Sequence, residues 1–178
     1  MLADPHRSRV FLIHPDRCLA GDADGRSREW RDGVSLLAAT QAMFAISPIV
    51  VGERDTAMKV ISATDERCVA PGVDPLTMWQ TGQLPSALRM DDAGVLFFAG
   101  AWFDEDVLLA AIRASSVGYD VRLLVDLSRS RRASEQQLVV DRAAMHGILA
   151  VTLRQALLEW AACTEDQVTI ARVRALLA

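Results

Sequence analysis

Four short apolar runs constrain this chain most, because each is continuous instead of alternating with polar residues. They are FLI at 11–13, IVV at 49–51, VLFF at 95–98 and LLV at 123–125. Unbroken runs of this kind indicate strands that are buried on both faces, as in a parallel sheet. Longer segments with helical periodicity separate or follow them, at 33–46, 106–115, 134–147 and 153–163. Strand followed by helix, repeated, predicts an α/β fold that is Rossmann-like, with three α/β/α layers around a mostly parallel central sheet.

The chain has the size of one domain. Its 178 residues are 51% hydrophobic, which is ample for a single core at this length. Residues 53–93 are rich in turn-forming sequence, so we expect a long excursion over the strand ends. The segment at about 165–177 predicts a C-terminal amphipathic helix that starts near a capping-box match of Thr164 with Gln167. We therefore expect residues 1–178 to form a single domain.

Composition argues against several classes of function. The chain carries 19 basic and 23 acidic residues, a formal net charge of −4, so nucleic-acid binding has little electrostatic basis. No apolar run reaches the roughly 18 residues that a membrane span needs, and we expect neither a signal peptide nor membrane contact. Cys18, Cys68 and Cys163 are too few and too scattered for a disulfide framework, which favours a reduced, cytoplasmic location.

Motifs for common cofactors and metals are missing from the sequence. It contains no GxGxxG or GxxxxGK[ST] segment for binding nucleotides, no GxSxG segment for a nucleophilic serine and no HExxH segment for zinc. The histidines at 6, 14 and 146 lack the spacing of metal ligands. We therefore expect neither a cofactor nor a metal site.

The residues that follow the strands are the first candidates for a site, because ligands of open α/β sheets bind outside the carboxyl ends of the strands. His14 and Asp16 follow the first run, and Asp106 follows the run at 94–100. Histidine exchanges protons near neutral pH, although a structural role at the strand end is the commoner use. The carboxylates at 104–106 have a simple alternative, which is to offset the N–H groups and dipole of a helix start. A His14–Asp106 pair requires the sheet order to bring the two strand ends together.

Aromatic residues near the predicted strand ends are candidate pocket-lining residues. They are Trp79, Trp102 and Phe103, and ordinary core packing is the alternative for each tryptophan. The carboxylate of Asp16 is a further candidate for the lining of the same pocket. Cys18 lies beside Arg17, a setting that can lower the pKa of a thiol, but a small packed thiol is the commoner situation.

The segment GAWFDEDV at 100–107 is followed by an apolar helix pattern, GYDV at 118–121 and Asp126. This order resembles the isochorismatase-like cysteine hydrolases, the superfamily that includes nicotinamidases and N-carbamoylsarcosine amidases. Its members carry G-x-x-T-[DE]-x-C-V, an apolar helix, G-[YF]-x-V and a strand that ends in D-A. DRAAMHG at 141–147 resembles a later helix of the family. The similarity covers about residues 8–160.

Three positions depart from the family pattern. The family nucleophile is the cysteine before that valine, and the residue here is Asp106. The first strand of the family ends in a D-x-Q pattern whose aspartate is the base, and His14 and Asp16 stand at those two positions. The third member is a lysine or arginine of the middle loop, which aligns near Ala70, and Lys59 lies too early. The resemblance implies the fold and a homo-oligomer, a dimer or tetramer.

The substitutions predict that cysteine-hydrolase chemistry is absent. An aspartate is a poor acyl-transfer nucleophile, and its negative charge repels a developing oxyanion. The leading hypothesis is a pseudoenzyme that binds a small molecule or acts in interactions. The alternative is a divergent hydrolase of an amide, ester or related small substrate, in which His14 and Asp106 activate water. A phosphoacceptor role needs a lysine opposite the aspartate, and Lys59 is poorly placed for it.

Overall fold

The computed structural model describes residues 2–19, 26–52, 69–70, 73–80 and 90–178. In this part of the chain a six-stranded sheet has the order β3-β2-β1-β4-β5-β6, and every pairing is parallel. The strands are β1 (Ser8–Ile13), β2 (Ile49–Val51), β3 (Val69–Ala70), β4 (Val95–Ala101), β5 (Asp120–Arg129) and β6 (Leu149–Val151). The helices are α1 (Arg26–Phe44), α2 (Leu108–Ser116), α3 (Gln136–Met145), α4 (Leu153–Thr164) and α5 (Gln167–Leu177).

The two central strands carry the unbroken apolar runs. All seven residues of β4 are buried, as are five of the six residues of β1. This burial is possible because helices cover both faces of the sheet, which confirms the predicted three-layer α/β/α fold.

Each face of the sheet has its own core. On one face, α1, α4 and α5 pack around Trp160, which meets Phe97 edge to face at 5.3 Å between ring centroids. On the other face, α2 and α3 pack on Phe98, which stacks on Phe11 at 5.0 Å. Aromatic pairs of this geometry add to the free energy gained by burying their area.

The face that α4 covers also holds a buried charge. Arg122 of β5 is 1% exposed and its guanidinium pairs with Glu159 of α4. The same carboxylate accepts the Ala3 backbone N–H at 3.0 Å. Because a buried guanidinium needs a partner, this pair fixes α4 and the first residues of the chain against the sheet.

The strand β5 is longer than the sequence suggested and contains a wide bulge. Between the pairs Phe98↔Leu123 and Gly100↔Ser128, β4 advances by two residues while β5 advances by five. Asp126 and Ser128, which follow the apolar run at 123–125, therefore lie within the strand. A bulge of this kind bends the strand and re-aims its side chains near the sheet edge.

Helix boundaries also differ from the sequence prediction at two points. The helix α1 begins at Arg26, seven residues before the predicted start at 33. The prediction started late because the first turns of the helix are mostly polar and show little apolar periodicity. The C-terminal helix α5 is present, but its N-cap is Asp166 and not Thr164. The side chain of Asp166 accepts the backbone N–H groups of Val168 and Thr169, as an N-cap does. In the described part of the chain, no helix is long and apolar enough to cross a membrane.

Candidate functional site

The parallel pairing of β1 with β4 brings His14 and Asp106 together. Ile13 is opposite Gly100 in the sheet, so the residues after both strands leave the same edge. The His14 Nε2 atom lies 3.4 Å from the Asp106 Oδ2 atom. Their side chains are 9% and 20% exposed. The sheet order that the predicted pair required is therefore present.

The position of His14 follows from the turn that ends β1. Its backbone is left-handed, with φ 44° and ψ 52°, and its N–H donates to the Val51 carbonyl at 3.0 Å. The imidazole then packs on Gly52, where an added Cβ would lie 2.3 Å from the His14 Cε1 atom and 2.4 Å from Nδ1. The Nε2 atom, which faces Asp106, would itself lie 3.0 Å from that Cβ, so the ring packs on Gly52 along its edge.

Asp106 is held in a tight turn between β4 and α2. Residues Phe103–Val107 form a π-helical turn that leads directly into α2, and the peptide bond between Ala101 and Trp102 is cis. The Trp102 carbonyl accepts the N–H groups of Glu105 and Val107, at 3.0 Å and 3.3 Å. The N-cap residues of the turn and of α2, Trp102 and Val107, make no side-chain capping bond, and the three carboxylates lie in the first turn, where negative charge offsets the helix dipole.

The sequence placed Arg17 after the first strand but did not predict its contact with Asp106. It lies in the short 3-10 helix Pro15–Cys18 that follows His14, and its N–H donates to the His14 carbonyl at 3.1 Å. This turn brings the Arg17 Nη1 atom to 3.6 Å from the Asp106 Oδ2 atom. A cation therefore reaches the site from the end of β1, whereas the family pattern places it in the middle loop.

A second arginine organises the rest of the acidic segment. The Arg131 guanidinium binds the Glu105 carboxylate at 2.6 Å and 3.3 Å, and the Arg131 backbone N–H donates to Asp104 at 3.2 Å. The same guanidinium lies over the Trp102 ring at 4.6 Å from its centroid. The hydrogen bond to Glu105 raises the pKa of Arg131, so the cation persists. Two of the three carboxylates thus anchor the turn and leave Asp106 to face His14 and Arg17.

The remaining predicted residues have varied surroundings. Trp79 donates its indole N–H to the Ala110 carbonyl at 3.0 Å and contacts Phe11, Phe98 and Tyr119. Phe103 is fully buried in the same core. Asp16 is half-buried beside Arg17.

Cysteine and lysine candidates give little to the described site. Burial raises the pKa of the Cys18 thiol to about 12, so this cysteine is a packed residue without thiolate character. Ala70 ends β3 opposite Val51, and Lys59 and Cys68 lie outside the described residues. Among the described side chains, no three from His, Cys, Asp and Glu are grouped to hold a metal ion.

The contact between Gly52 and His14 gives a test of this geometry. We expect Gly52→Ala to displace the imidazole from its position beside Asp106, because the new methyl group would overlap the ring, and to lower the free energy of unfolding by about 1–3 kcal/mol. NMR of the imidazole resonances and urea unfolding measure the two effects. Gly147→Ala is the control, since Gly147 also has positive φ but a Cβ added there would have no atom within 4 Å. Unchanged His14 resonances in Gly52→Ala would contradict the geometry.

Solved structures with the same fold include several hydrolases. The YcaC gene product of Escherichia coli, an octameric hydrolase of unknown specificity, superposes with a TM-score of 0.76 at 16% identity, covering 99% of this chain and 90% of that one. The MAR1 ribonuclease of Caenorhabditis elegans gives 0.75 at 15% identity, covering 99% and 92%. An isochorismatase-like hydrolase from Alkaliphilus metalliredigens gives 0.68 at 12% identity, covering 86% and 99%.

These superpositions establish the isochorismatase-like fold that the sequence resemblance implied. They do not extend to activity, because at such identities a shared fold is compatible with different functions. The sequence matches no protein-family model and no curated protein. The function therefore has to be argued from the site itself.

Proposed function

We propose that this chain is a non-catalytic protein with the isochorismatase-like fold, which binds a small molecule at the carboxyl ends of its strands. The observation that supports it most is the ion-paired state of Asp106, the residue at the position of the family nucleophile. Its Oδ2 atom has His14 at 3.4 Å and Arg17 at 3.6 Å. The Arg17 guanidinium lies within ion-pair distance of this carboxylate, and a carboxylate is a weak nucleophile in acyl transfer.

The electrostatics of acyl transfer support the same proposal. Catalysis at this position needs N–H donors or cations aimed at the oxyanion that develops in the transition state. Here a carboxylate occupies the place, and Arg17 compensates its charge. The arrangement pairs the Asp106 carboxylate with the Arg17 guanidinium, and a negative charge at the nucleophile position repels a developing oxyanion.

Assembly and location complete the proposal. YcaC is octameric, and most soluble oligomers are built from identical subunits with closed symmetry. We assign this chain to a homo-oligomer, a dimer or tetramer, in the cytoplasm. Size-exclusion chromatography with light scattering measures the subunit count.

Ligand binding tests the proposal directly. We expect at least one compound from a panel of small amides, carbamoyl compounds and isochorismate to bind the wild-type protein, as measured by calorimetry. Asp106→Ala and Arg17→Ala should weaken that binding about tenfold, because each removes a charged group from the strand-end site. Asp141→Asn on α3, whose carboxylate is bound by the Gln137 side chain of the same helix, is the charge-matched control. Binding that none of these variants changes would place the ligand elsewhere.

A divergent hydrolase is the second candidate, and the approach of His14 to Asp106 favours it. A carboxylate that orients an imidazole is a known general-base arrangement. In this site the His14 side chain is only 9% exposed, and a general base that activates water needs a water molecule within hydrogen-bond reach. The hydrolase requires turnover that is lost in both His14→Gln and Asp106→Asn.

A further inference from the structure

A cavity lies at the bulge of β5, apart from the His14–Asp106 pair. Its volume is about 290 Å³, close to the lower limit of about 300 Å³ for small-molecule pockets. The lining comes from the start of α1, the bulge and the start of α3, through Glu29, Trp30, Val125, Asp126, Ser128, Arg129 and Gln136. Neither His14 nor Asp106 lines it.

The bulge builds this cavity by separating β5 from β4. The extra residues of β5 between its two paired positions include Val125 and Asp126, and both line the cavity. The Asp126 carboxylate is held in place because both of its oxygens lie 3.0 Å from the Leu153 N–H at the start of α4. The backbone N–H groups of Asp126 and Leu127 also bind this carboxylate, and burial raises its pKa. A carboxylate held in place by the backbone has further lone pairs that can accept from a ligand.

Most other polar groups of the lining are bound within the protein. The Trp30 indole N–H donates to the Leu127 carbonyl at 3.0 Å, and Ser128 donates to the Leu124 carbonyl at 2.7 Å. The Arg129 Nη1 atom donates to the Cys18 carbonyl at 2.8 Å and lies 3.3 Å from the Ser27 hydroxyl. These bonds fix the walls and leave the carboxylates as the groups that face solvent.

The charge balance of the lining favours a cation. Two carboxylates, Glu29 and Asp126, oppose one guanidinium, Arg129. Both carboxylates are solvent-exposed, and Glu29 lies in the first turn of α1. The lining also includes the aromatic side chain of Trp30, and aromatic rings attract ammonium groups.

We propose that the β5 bulge cavity is a binding site for a small molecule that carries an ammonium group, recognised by Glu29 and Asp126. The cavity volume of about 290 Å³ admits a ligand with one amine and a few carbon atoms. This site does not depend on the function proposed for Asp106, because the two sets of residues are separate.

The experiment titrates the protein with propylammonium chloride and, at the same ionic strength, with sodium propionate. The readout is the indole N–H resonance of Trp30 in a proton–nitrogen correlation spectrum, assigned by its loss in Trp30→Phe. We expect saturable, millimolar binding of propylammonium alone, which is the range open to so small a ligand. Glu29→Gln should weaken it about fivefold by removing a charged partner.

Asp32→Asn provides the matched control, because it removes one negative charge from the same helix. Asp32 is 76% exposed, pairs with Arg28 at 4.0 Å and does not line the cavity. It should leave the affinity unchanged. The proposal is overturned by any of three results: no saturable shift, equal binding of propionate, or equal weakening in Glu29→Gln and Asp32→Asn.

Discussion

Gly100→Ala is expected to destabilise the protein by about 4 kcal/mol or more, a large part of the stability of a single domain. Gly100 lies near the end of β4 with φ 121°, and a Cβ there would stand 1.9 Å from the Ile13 carbonyl oxygen. That oxygen belongs to the neighbouring strand, so relief requires β1 and β4 to separate. The separation would also part His14 from Asp106, because Ile13 directly precedes His14.

Urea unfolding of the variant beside the wild type measures this effect through the midpoint and slope. Gly118→Ala is the control: it measures the cost of placing a side chain at positive φ where no steric clash occurs. Gly118 has φ 103°, but a Cβ added there would have no atom within 4 Å, so its substitution should cost only about 1–2 kcal/mol. Equal losses in the two variants would mean that β1 and β4 are not in the close contact described.

The second large effect is expected in Asp106→Cys, whose introduced thiol should ionise well below the ordinary pKa of about 8.5. The thiol would lie beside the imidazole of His14 and the guanidinium of Arg17, at the start of a helix. At pH 6.5 we expect the introduced thiol to be alkylated about fivefold faster than an exposed cysteine of ordinary pKa. A lower pKa increases the fraction of thiolate at this pH by more than it reduces the nucleophilicity of each thiolate. Iodoacetamide labelling followed by peptide mass spectrometry gives the rate against pH.

The native cysteines supply the background for this measurement. Cys18 has a pKa raised to about 12 by burial, so it should stay unlabelled in the folded protein. Adding Arg17→Gln to Asp106→Cys should return the pKa of the thiol toward its ordinary value. A thiol that titrates at 8.5 or above with Arg17 intact would show that the arginine does not reach this position.

The sheet and the His14–Asp106 pair were accessible from the sequence because both rest on strong local patterns. Unbroken apolar runs allow few structures other than buried parallel strands; His14 directly follows one such run, and Asp106 lies in the turn after another. The family resemblance then supplied the reason to pair them. Distances were beyond the sequence, because they depend on which strands are neighbours.

Arg17, the β5 bulge and the start of α1 could not be predicted in the same way. An arginine in a short turn has no periodicity, and its reach toward Asp106 arises from the left-handed backbone of His14. The bulge breaks the register of β5 without any proline or glycine to mark it. One available signal was overlooked: Thr152 and Gln155 form a full capping box at the start of α4, whereas Thr164 and Gln167 do not.

We propose that Asp106 forms part of a resting ion pair and not of a catalytic centre. Turnover of small amides, carbamoyl compounds and isochorismate by the purified wild-type protein, compared with Asp106→Ala and His14→Gln, tests this proposal. We expect no product above the buffer rate for any of the three proteins. Turnover by the wild type that disappears in both variants would contradict it and would show that His14 and Asp106 activate water.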